Sequence, residues 1–164
     1  MNTAASGLPQ APGDRLPGTG ASQLRERRAR LVERHVAVEN DHDVQGIIDT
    51  FHRPHYELVA LGEPTDSEQA VRDLWHEQFA AFPDFHVEVL STHHADDVVF
   101  LEVEITGTHE GPFMGVPATG RRVRFRAACV FEFEGDRLMN ERVYFDAATQ
   151  LQQLGVMPRP GAPD

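Results

Sequence analysis

Lysine is absent from this chain, so all 15 basic residues are arginine. Chemistry that starts from a lysine amine, such as Schiff-base formation or phosphate binding by a P-loop lysine, is therefore excluded. Acidic residues number 26, which gives a formal net charge of -11 at pH 7. Because such a chain repels phosphate backbones and anionic lipid surfaces, neither nucleic acid nor a membrane is expected as a partner.

Cysteine occurs once, at Cys129, inside an apolar segment. A disulfide within the chain has no second partner, and a thiol buried in an apolar strand is a poor nucleophile. No apolar run reaches the length of a signal peptide or of a membrane-spanning helix. We therefore expect a protein of the reducing cytoplasm.

The 164 residues, 40% of them hydrophobic, are enough for one domain with its own core. Glycine, proline and other small residues are concentrated at the two ends. We predict a disordered leader over residues 1–21, one domain over 22–157 and a flexible tail over 158–164.

Hydrophobic periodicity predicts three helices in the first half of the domain. The first helix covers residues 22–40. The second is short, with Asp43 as its cap and Pro54 as its stop. The third begins at residue 66 or 67 and is ended by Pro83. A short strand is predicted over 56–61. Alternating patterns then predict strands over 85–92, 98–109, 123–134 and 138–145, and a last helix over 147–154 ends at Gly155.

Helices followed by a run of strands indicate an α+β domain with a mostly antiparallel sheet. Such a sheet can curl around the three N-terminal helices and leave a cone-shaped pocket. His109 ends one apolar strand, and Asp146 ends another. A carboxylate whose pKa is raised by an apolar wall can act as general acid or base, and an imidazole can assist it.

Each of these two residues also has a structural interpretation. Asp146 directly precedes a predicted helix, so it can serve as the helix cap. His109 continues the apolar side of its strand, where a hydrogen-bonded core histidine is common. The polar side of the last strand, with Arg142 and Tyr144, is assigned to the pocket.

Aromatic residues supply the predicted pocket wall. The hydroxyl of Tyr56 can orient a substrate carbonyl or reach the surface, and the residues alone leave both open. Trp75, Phe79 and Phe113 suit either the wall or an ordinary core.

No metal or cofactor is expected. His76 and Glu77 begin a zinc-protease motif, but Ala80 stands where its second histidine is required. The remaining histidine pairs lack a matching second cluster of ligands. The glycines between residues 107 and 120 do not follow a strand and open a helix, so they form a loop and not a dinucleotide cradle.

Three segments together resemble the SnoaL-like polyketide cyclase family, within the nuclear transport factor 2-like superfamily. They read AFPDFHVEV from residue 81, ITGTHEGPFMGVPATGRRVRF from residue 105 and FEFEGDRLMNERVYFDAATQLQQLGV from residue 131. The resemblance covers about residues 24–156. It implies a cone-shaped α+β fold with an internal pocket, and a homodimer formed through the outer face of the sheet.

The resemblance also implies a cofactor-free intramolecular aldol cyclisation of a hydrophobic polyketide. Asp146 corresponds to the family's acid/base aspartate, and His109 to a pocket histidine. His109, Tyr56 or Arg142 would stabilise the oxyanion. Two alternatives use the same pocket: epoxide opening or dehydration, for which Arg142 would assist Asp146, and binding of a hydrophobic ligand without catalysis.

Overall fold

The computed structural model describes residues 19–62 and 64–158, which form four α-helices and a six-stranded sheet. The helices are α1 (Thr19–Asn40), α2 (Val44–Thr50), α3 (Glu68–Ala81) and α4 (Ala147–Leu154). The strands are β1 (Tyr56–Leu58), β2 (Pro64–Thr65), β3 (His86–His94), β4 (Val98–Thr108), β5 (Arg122–Glu134) and β6 (Arg137–Phe145). No helix in these two ranges is long and apolar enough to cross a membrane.

The strands lie in the order β2-β1-β6-β5-β4-β3, and the sheet does not close. β3 to β6 are antiparallel neighbours in chain order, as the alternating patterns predicted. β1 instead runs parallel to β6, which is possible because α3 and four strands separate them along the chain. The predicted α+β class with a mostly antiparallel sheet is thus confirmed, with one parallel pair added.

α2 and α3 both begin at side-chain caps, of which Asp43 was predicted as a cap and Ser67 as a possible start of its helix. The Asp43 carboxylate accepts a hydrogen bond of 2.9 Å from the Gly46 N–H, and the Ser67 hydroxyl accepts one of 3.2 Å from the Ala70 N–H. Each provides an acceptor for an N–H that the first helical turn leaves unpaired, which is typically a contribution of about 1 kcal/mol.

The core lies between α1, α2 and α3 on one side and the inner face of the sheet on the other. Alternate residues of β4, namely Val99, Leu101 and Val103, are almost fully buried. Val32 of α1 and Val71 of α3 pack above this face. Burial of each such side chain contributes roughly 1.5–3 kcal/mol, so this layer holds the helices in place over the sheet.

Several predicted boundaries differ from the structure by one to three residues, and two of these differences concern the first strand and the leader. The strand predicted over 56–61 ends at Leu58 and continues as a 3₁₀ turn, Val59–Leu61, because only three residues pair with β6. The predicted leader, 1–21, overlaps α1, which begins at Thr19. Residues 1–18, and 159–164 of the predicted tail, lie outside the described residues.

Candidate active site

A pocket lies between α3, α4 and the inner face of the sheet, with about 580 Å³ of space not filled by protein atoms, open solvent at its mouth included. We call it the outer chamber. Its wall is largely aliphatic and aromatic, with a few polar side chains, and this composition is typical of sites for hydrophobic small molecules. The lining residues are Tyr56, Leu58, Leu74, Trp75, Gln78, Phe82, Phe85, Ile105, Thr106, Phe113, Val123, Phe125, Val143, Phe145 and Gln150.

A second, smaller pocket, the inner chamber, lies deeper in the fold, with about 310 Å³ of space not filled by protein atoms, open solvent included. The two chambers share the lining residues Tyr56, Trp75, Phe85, Ile105 and Val143. The inner chamber also reaches Glu39, Cys129 and Glu141. We call the two adjacent chambers together the apolar path; buried carboxylates line its deep end.

The inner chamber ends at a cluster of three buried ionisable side chains, His35, Glu39 and Glu141. His35 Nε2 lies 3.1 Å from Glu39 Oε1 and forms a hydrogen bond with it. Glu141 Oε2 lies 3.0 Å from the same nitrogen, outside its hydrogen-bond direction. Within the described part of the chain this oxygen has no hydrogen-bond partner. Its contact with His35 is therefore an ion pair at the deep end of the inner chamber.

The orientation of the His35 ring is set from its other side. The Thr50 hydroxyl donates its hydrogen to the Ile47 carbonyl at 2.6 Å. It therefore accepts at its oxygen from His35 Nδ1, which lies 2.6 Å away. Because Nδ1 carries a hydrogen, Nε2 is the atom through which His35 exchanges protons with the carboxylates.

Burial and charge act on this cluster in opposite directions. Burial lowers the pKa of His35, but the charges of Glu141 and Glu39 outweigh it and raise that pKa to about 10. Burial raises the pKa of Glu141, and His35 only partly offsets this, so the pKa is about 7. Burial, with the charges of Glu141 and Glu39, also raises the pKa of Tyr56 well above its usual value. The Tyr56 hydroxyl therefore keeps its hydrogen at neutral pH.

The ligand atoms of the cluster lie within 4.8 Å of one another, a spacing at which side chains can hold a metal ion. The prediction of no metal was based on other histidines and did not consider this group. An imidazolium beside two carboxylates leaves one negative charge, and one further proton on a carboxyl group cancels it. Protons alone can therefore neutralise this buried cluster.

A β-bulge in β6 turns Glu141 toward the interior. Leu138 pairs with Phe133, whereas Asn140 pairs with Glu132, so Met139 is the additional residue. Beyond the bulge, Glu141 and Val143 face the core and are buried. Alternation therefore places Asn140, Arg142 and Tyr144 on the outer face.

The assignment of Arg142 and Tyr144 to the pocket was wrong. Arg142 forms an ion pair with Glu132 on the outer face, and Tyr144 is 44% exposed. The sequence pattern predicts the alternation of β6 correctly, but the prediction places the polar side of the strand inward. The inward side is the one that carries Val143 and Phe145, because apolar residues face the core of a small sheet.

Asp146 is exposed and caps α4. Its carboxylate accepts hydrogen bonds from the Thr149 N–H at 3.1 Å and from the Thr149 hydroxyl at 2.6 Å. These bonds lower the pKa of Asp146. The expectation of an inward carboxylate with a raised pKa was wrong, because Asp146 follows Phe145 and so shares the outward side of Tyr144. A catalytic role for Asp146 stays a prediction.

His109 is fully buried, as its position on the apolar side of β4 predicted. The Thr119 N–H donates to Nδ1 at 3.3 Å, so the ring hydrogen is on Nε2. That atom is buried without a partner among the described residues. Desolvation lowers the pKa of His109, which keeps the ring neutral. The ring stacks on Phe82 at 5.2 Å and supports the wall of the outer chamber from behind; a part in proton transfer stays a prediction.

The four predicted aromatic contacts divide into two groups. Tyr56, Trp75 and Phe113 line the outer chamber. Phe113 reaches it from a tight turn in which Met114 and Gly115 both have positive φ. Phe79 instead stacks on His42 at 4.3 Å and is not part of the chamber wall.

Sequence reasoning did not find His35, Glu39 and Glu141. A signal for the first two was present, since they lie one helical turn apart in the same stripe of α1 as Val32 and Val36. A charged pair inside an apolar stripe indicates a buried cluster. Glu141 had a similar signal, because it alternates with Val143 and Phe145.

Solved structures with this architecture define its class. A protein from Catenulispora acidiphila with a ketosteroid isomerase-like fold has a TM-score of 0.67 at 17% identity, covering 81% of this chain and 97% of its own. A candidate SnoaL-like polyketide cyclase from Jannaschia sp. gives 0.73 at 18% identity, covering 90% and 100%. At these identities the likeness concerns the fold, which is the nuclear transport factor 2-like, ketosteroid isomerase-like α+β fold.

Sequence narrows the class to a family. The family model described as SnoaL-like polyketide cyclase matches residues 29–154. AclR of Streptomyces galilaeus, a candidate hydroxylase, is 30% identical with a TM-score of 0.70, over 83% of this chain and 85% of its own. No curated protein matches the chain. The chain belongs to the SnoaL-like polyketide cyclase family.

Proposed function

We propose that the protein is a cofactor-independent enzyme that closes a ring in a hydrophobic polyketide by intramolecular aldol addition. The observation that carries this proposal is the pairing of Tyr56 with Glu141 at the point where the apolar path meets the buried cluster. One side chain is a hydroxyl donor and the other a carboxyl group with a pKa of about 7. A carboxylate with a pKa near neutrality is suited to removing a proton from carbon.

In this mechanism the substrate carbonyl enters the inner chamber and accepts a hydrogen bond from the Tyr56 hydroxyl. Glu141 takes the proton from the carbon next to that carbonyl, which gives an enolate. The enolate carbon attacks a second carbonyl of the same molecule and forms the new C–C bond. Glu141 then returns its proton to the alkoxide, so atoms and charge balance without a co-reactant.

The surroundings assist each step. The apolar walls exclude water, which strengthens the hydrogen bond from Tyr56 to the developing oxyanion. His35 holds a positive charge near Glu141, and this charge limits how far burial raises the pKa of Glu141. Trp75 and Phe113 provide flat surfaces that can hold the flexible chain in a folded conformation.

The alternative of epoxide opening by Asp146 assisted by Arg142 receives no support from the geometry, since both side chains lie away from the two chambers.

Binding without catalysis predicts that a ligand occupies the chambers and exchanges no protons. Hydroxylation, suggested by the similarity to AclR, would add an oxygen to the product, whereas aldol addition leaves the mass unchanged.

Deuterium exchange tests the proton-transfer step. The probe is 2-tetralone in D₂O, and NMR records the exchange of its α-hydrogens with and without protein. We expect wild-type protein to accelerate exchange and Glu141→Gln to lower the rate by about 100-fold or more. Asp146→Asn is the matched carboxyl-to-amide variant at the position predicted from sequence.

The outcomes separate the interpretations. Loss of exchange only in Glu141→Gln supports the proposed base. Loss only in Asp146→Asn would instead support the catalytic role predicted from sequence. Binding of 2-tetralone without any exchange above background would favour a non-catalytic binding module and contradict the proposal.

We further propose a homodimer formed through the outer face of the sheet, in a reducing cytoplasm. Cross-strand ion pairs cover part of this face, with Arg124 at 2.8 Å from Glu104 and Arg126 at 2.7 Å from Glu102. Tyr144 is the exposed aromatic residue beside them. Sedimentation equilibrium should give twice the chain mass at micromolar concentration, and a monomer there would contradict the dimer.

A further inference from the structure

Two buried polar side chains of the outer chamber have atoms without a partner. Trp75 Nε1 and Gln150 Oε1 are both enclosed and form no hydrogen bond within the described part of the chain. Trp75 is 3% exposed and Gln150 is 4% exposed. Both residues line the outer chamber, from α3 and α4 respectively. A buried polar atom without a partner lowers stability, so a ligand that supplies the partner binds favourably.

The position of Gln150 is fixed by contacts at both ends of α4. Asp146 caps the first turn, and Gly155 ends the helix with φ at 79°. Between them, Gln153 accepts from the Arg124 N–H at 2.7 Å and donates to the Arg124 carbonyl at 2.8 Å. These contacts hold α4 against β5, so the carboxamide of Gln150 stays at the chamber wall.

We infer that Trp75 and Gln150 are specificity-determining residues that recognise a carbonyl compound carrying a free hydroxyl group. Trp75 Nε1 can only donate, so it requires an acceptor oxygen on the ligand. Gln150 Oε1 requires a donor, which an aliphatic or phenolic hydroxyl supplies and an ether does not. Apart from Tyr56, Gln78 and Thr106 the remaining wall is apolar, so most of the rest of the ligand is hydrophobic. This inference rests on the proposed function only in taking the outer chamber as the substrate site.

Trp75 is also the single tryptophan of the chain, so its fluorescence reports on the chamber. The probes are 6-hydroxy-2-tetralone and 6-methoxy-2-tetralone, which differ in one hydroxyl hydrogen and the methyl group that replaces it. We expect wild-type protein to bind the hydroxy compound about tenfold more tightly, the effect of one hydrogen bond to an otherwise unpaired group.

Two matched variants locate the effect. Gln150→Met removes the carboxamide at similar length and should abolish the preference between the two probes. Gln152→Met makes the same change on the same helix, at a side chain that does not line the chamber, and should keep the preference. Circular dichroism melting checks that both variants fold.

The role of Trp75 is tested by calorimetry, because its substitution removes the fluorescent reporter. Trp75→Phe should weaken the binding of 6-hydroxy-2-tetralone about tenfold. Because 6-hydroxytetralin lacks the carbonyl, its binding should be nearly unchanged by the same substitution.

Three results would overturn the inference. Wild-type protein could bind the two tetralones equally tightly or bind neither of them, or Gln150→Met could keep the preference for the hydroxy compound. A failure of the proposed function looks different: the hydroxyl preference would be present while the α-hydrogens of 2-tetralone did not exchange.

Discussion

Tyr56 and Glu141 are direct partners across the parallel pair of strands β1 and β6. Both side chains face inward, and they are 5% and 1% exposed. The pairing depends on the bulge at Met139, because without the additional residue Glu141 would lie on the outer face and Arg142 on the inner face. A local irregularity of β6 thus brings a hydroxyl donor and a carboxyl group to the same end of an apolar cavity.

This relationship predicts the behaviour of Tyr56→Phe. Phenylalanine keeps the ring, which contacts Trp75 edge-on at 5.6 Å, and removes only the hydroxyl. We expect the kcat for exchange of 2-tetralone to fall by about 100-fold, as when a donor to a developing oxyanion is deleted, with KM changed less than threefold. NMR measurement of the exchange rate at several concentrations of 2-tetralone gives both kcat and KM. A kcat within threefold of wild type would remove Tyr56 from the mechanism.

The buried cluster predicts how stability depends on pH. The pKa of His35 rises from 6.5 to about 10 on folding, and that of Glu141 from 4.5 to about 7. The folded state therefore binds more protons than the unfolded state between about pH 4.5 and pH 10. Since ∂ΔG/∂pH for unfolding has the sign of protons bound in the unfolded minus the folded state, stability falls as pH rises through this window.

Each additional proton that the folded state binds contributes at most about 1.4 kcal/mol per pH unit to the slope of the free energy of unfolding against pH. Urea unfolding at pH 5, 7 and 9 measures it. Glu141→Gln should flatten the curve between pH 5 and 7, because it removes one titrating group. Glu77→Gln, an exposed carboxylate of α3, should leave the curve unchanged. The prediction fails if Glu141→Gln and wild type lose stability in parallel across that interval.

The fold was predictable from sequence because periodicity and caps act locally. Asp43 caps α2 as predicted, and α4 has the predicted bounds, Ala147–Leu154. The site was predicted less well, because it depends on register. Whether Glu141 or Arg142 faces the interior is decided by one additional residue at Met139 and by pairing with β1, which is distant in sequence.

His35 and Glu39 show a second limit. Their one-turn spacing on α1 indicates that they share a face, but their meeting with Glu141 depends on how α1 packs over the sheet. Tyr56, Trp75 and Phe113 line the outer chamber, and their part in substrate binding stays a prediction.

Two substitutions at Asp146 separate capping from catalysis. Asparagine is itself a good helix cap, so Asp146→Asn should keep stability within about 0.5 kcal/mol, whereas Asp146→Ala should lose about 1 kcal/mol. From the exposed position of the carboxylate we expect kcat to stay within twofold in both. Urea unfolding and the exchange assay measure the two effects. A loss of kcat common to both variants, independent of stability, would establish the catalytic role predicted from sequence.

Gly111 provides a test of the loop that shapes the outer chamber. A Cβ placed there would lie 2.4 Å from the backbone oxygen of Ala80, at a junction where the Gly111 N–H donates to the Ala81 carbonyl at 3.1 Å. Because backbone cannot rotate out of the way as a side chain can, Gly111→Ala should destabilise the fold by roughly 1–3 kcal/mol.

The same clash should also weaken ligand binding, since Gly111 lies against Ala80 and Ala81, next to Phe82, and two residues before Phe113, and both phenylalanines line the chamber. We expect a several-fold higher Kd for 2-tetralone, measured by Trp75 fluorescence under conditions where the variant is fully folded. Gly20→Ala is the control, because a Cβ at that exposed position of α1 meets nothing within 4 Å; it should leave Kd unchanged and keep or slightly raise stability. If both glycine variants lost equal stability, the close approach at Ala80 would not be the cause.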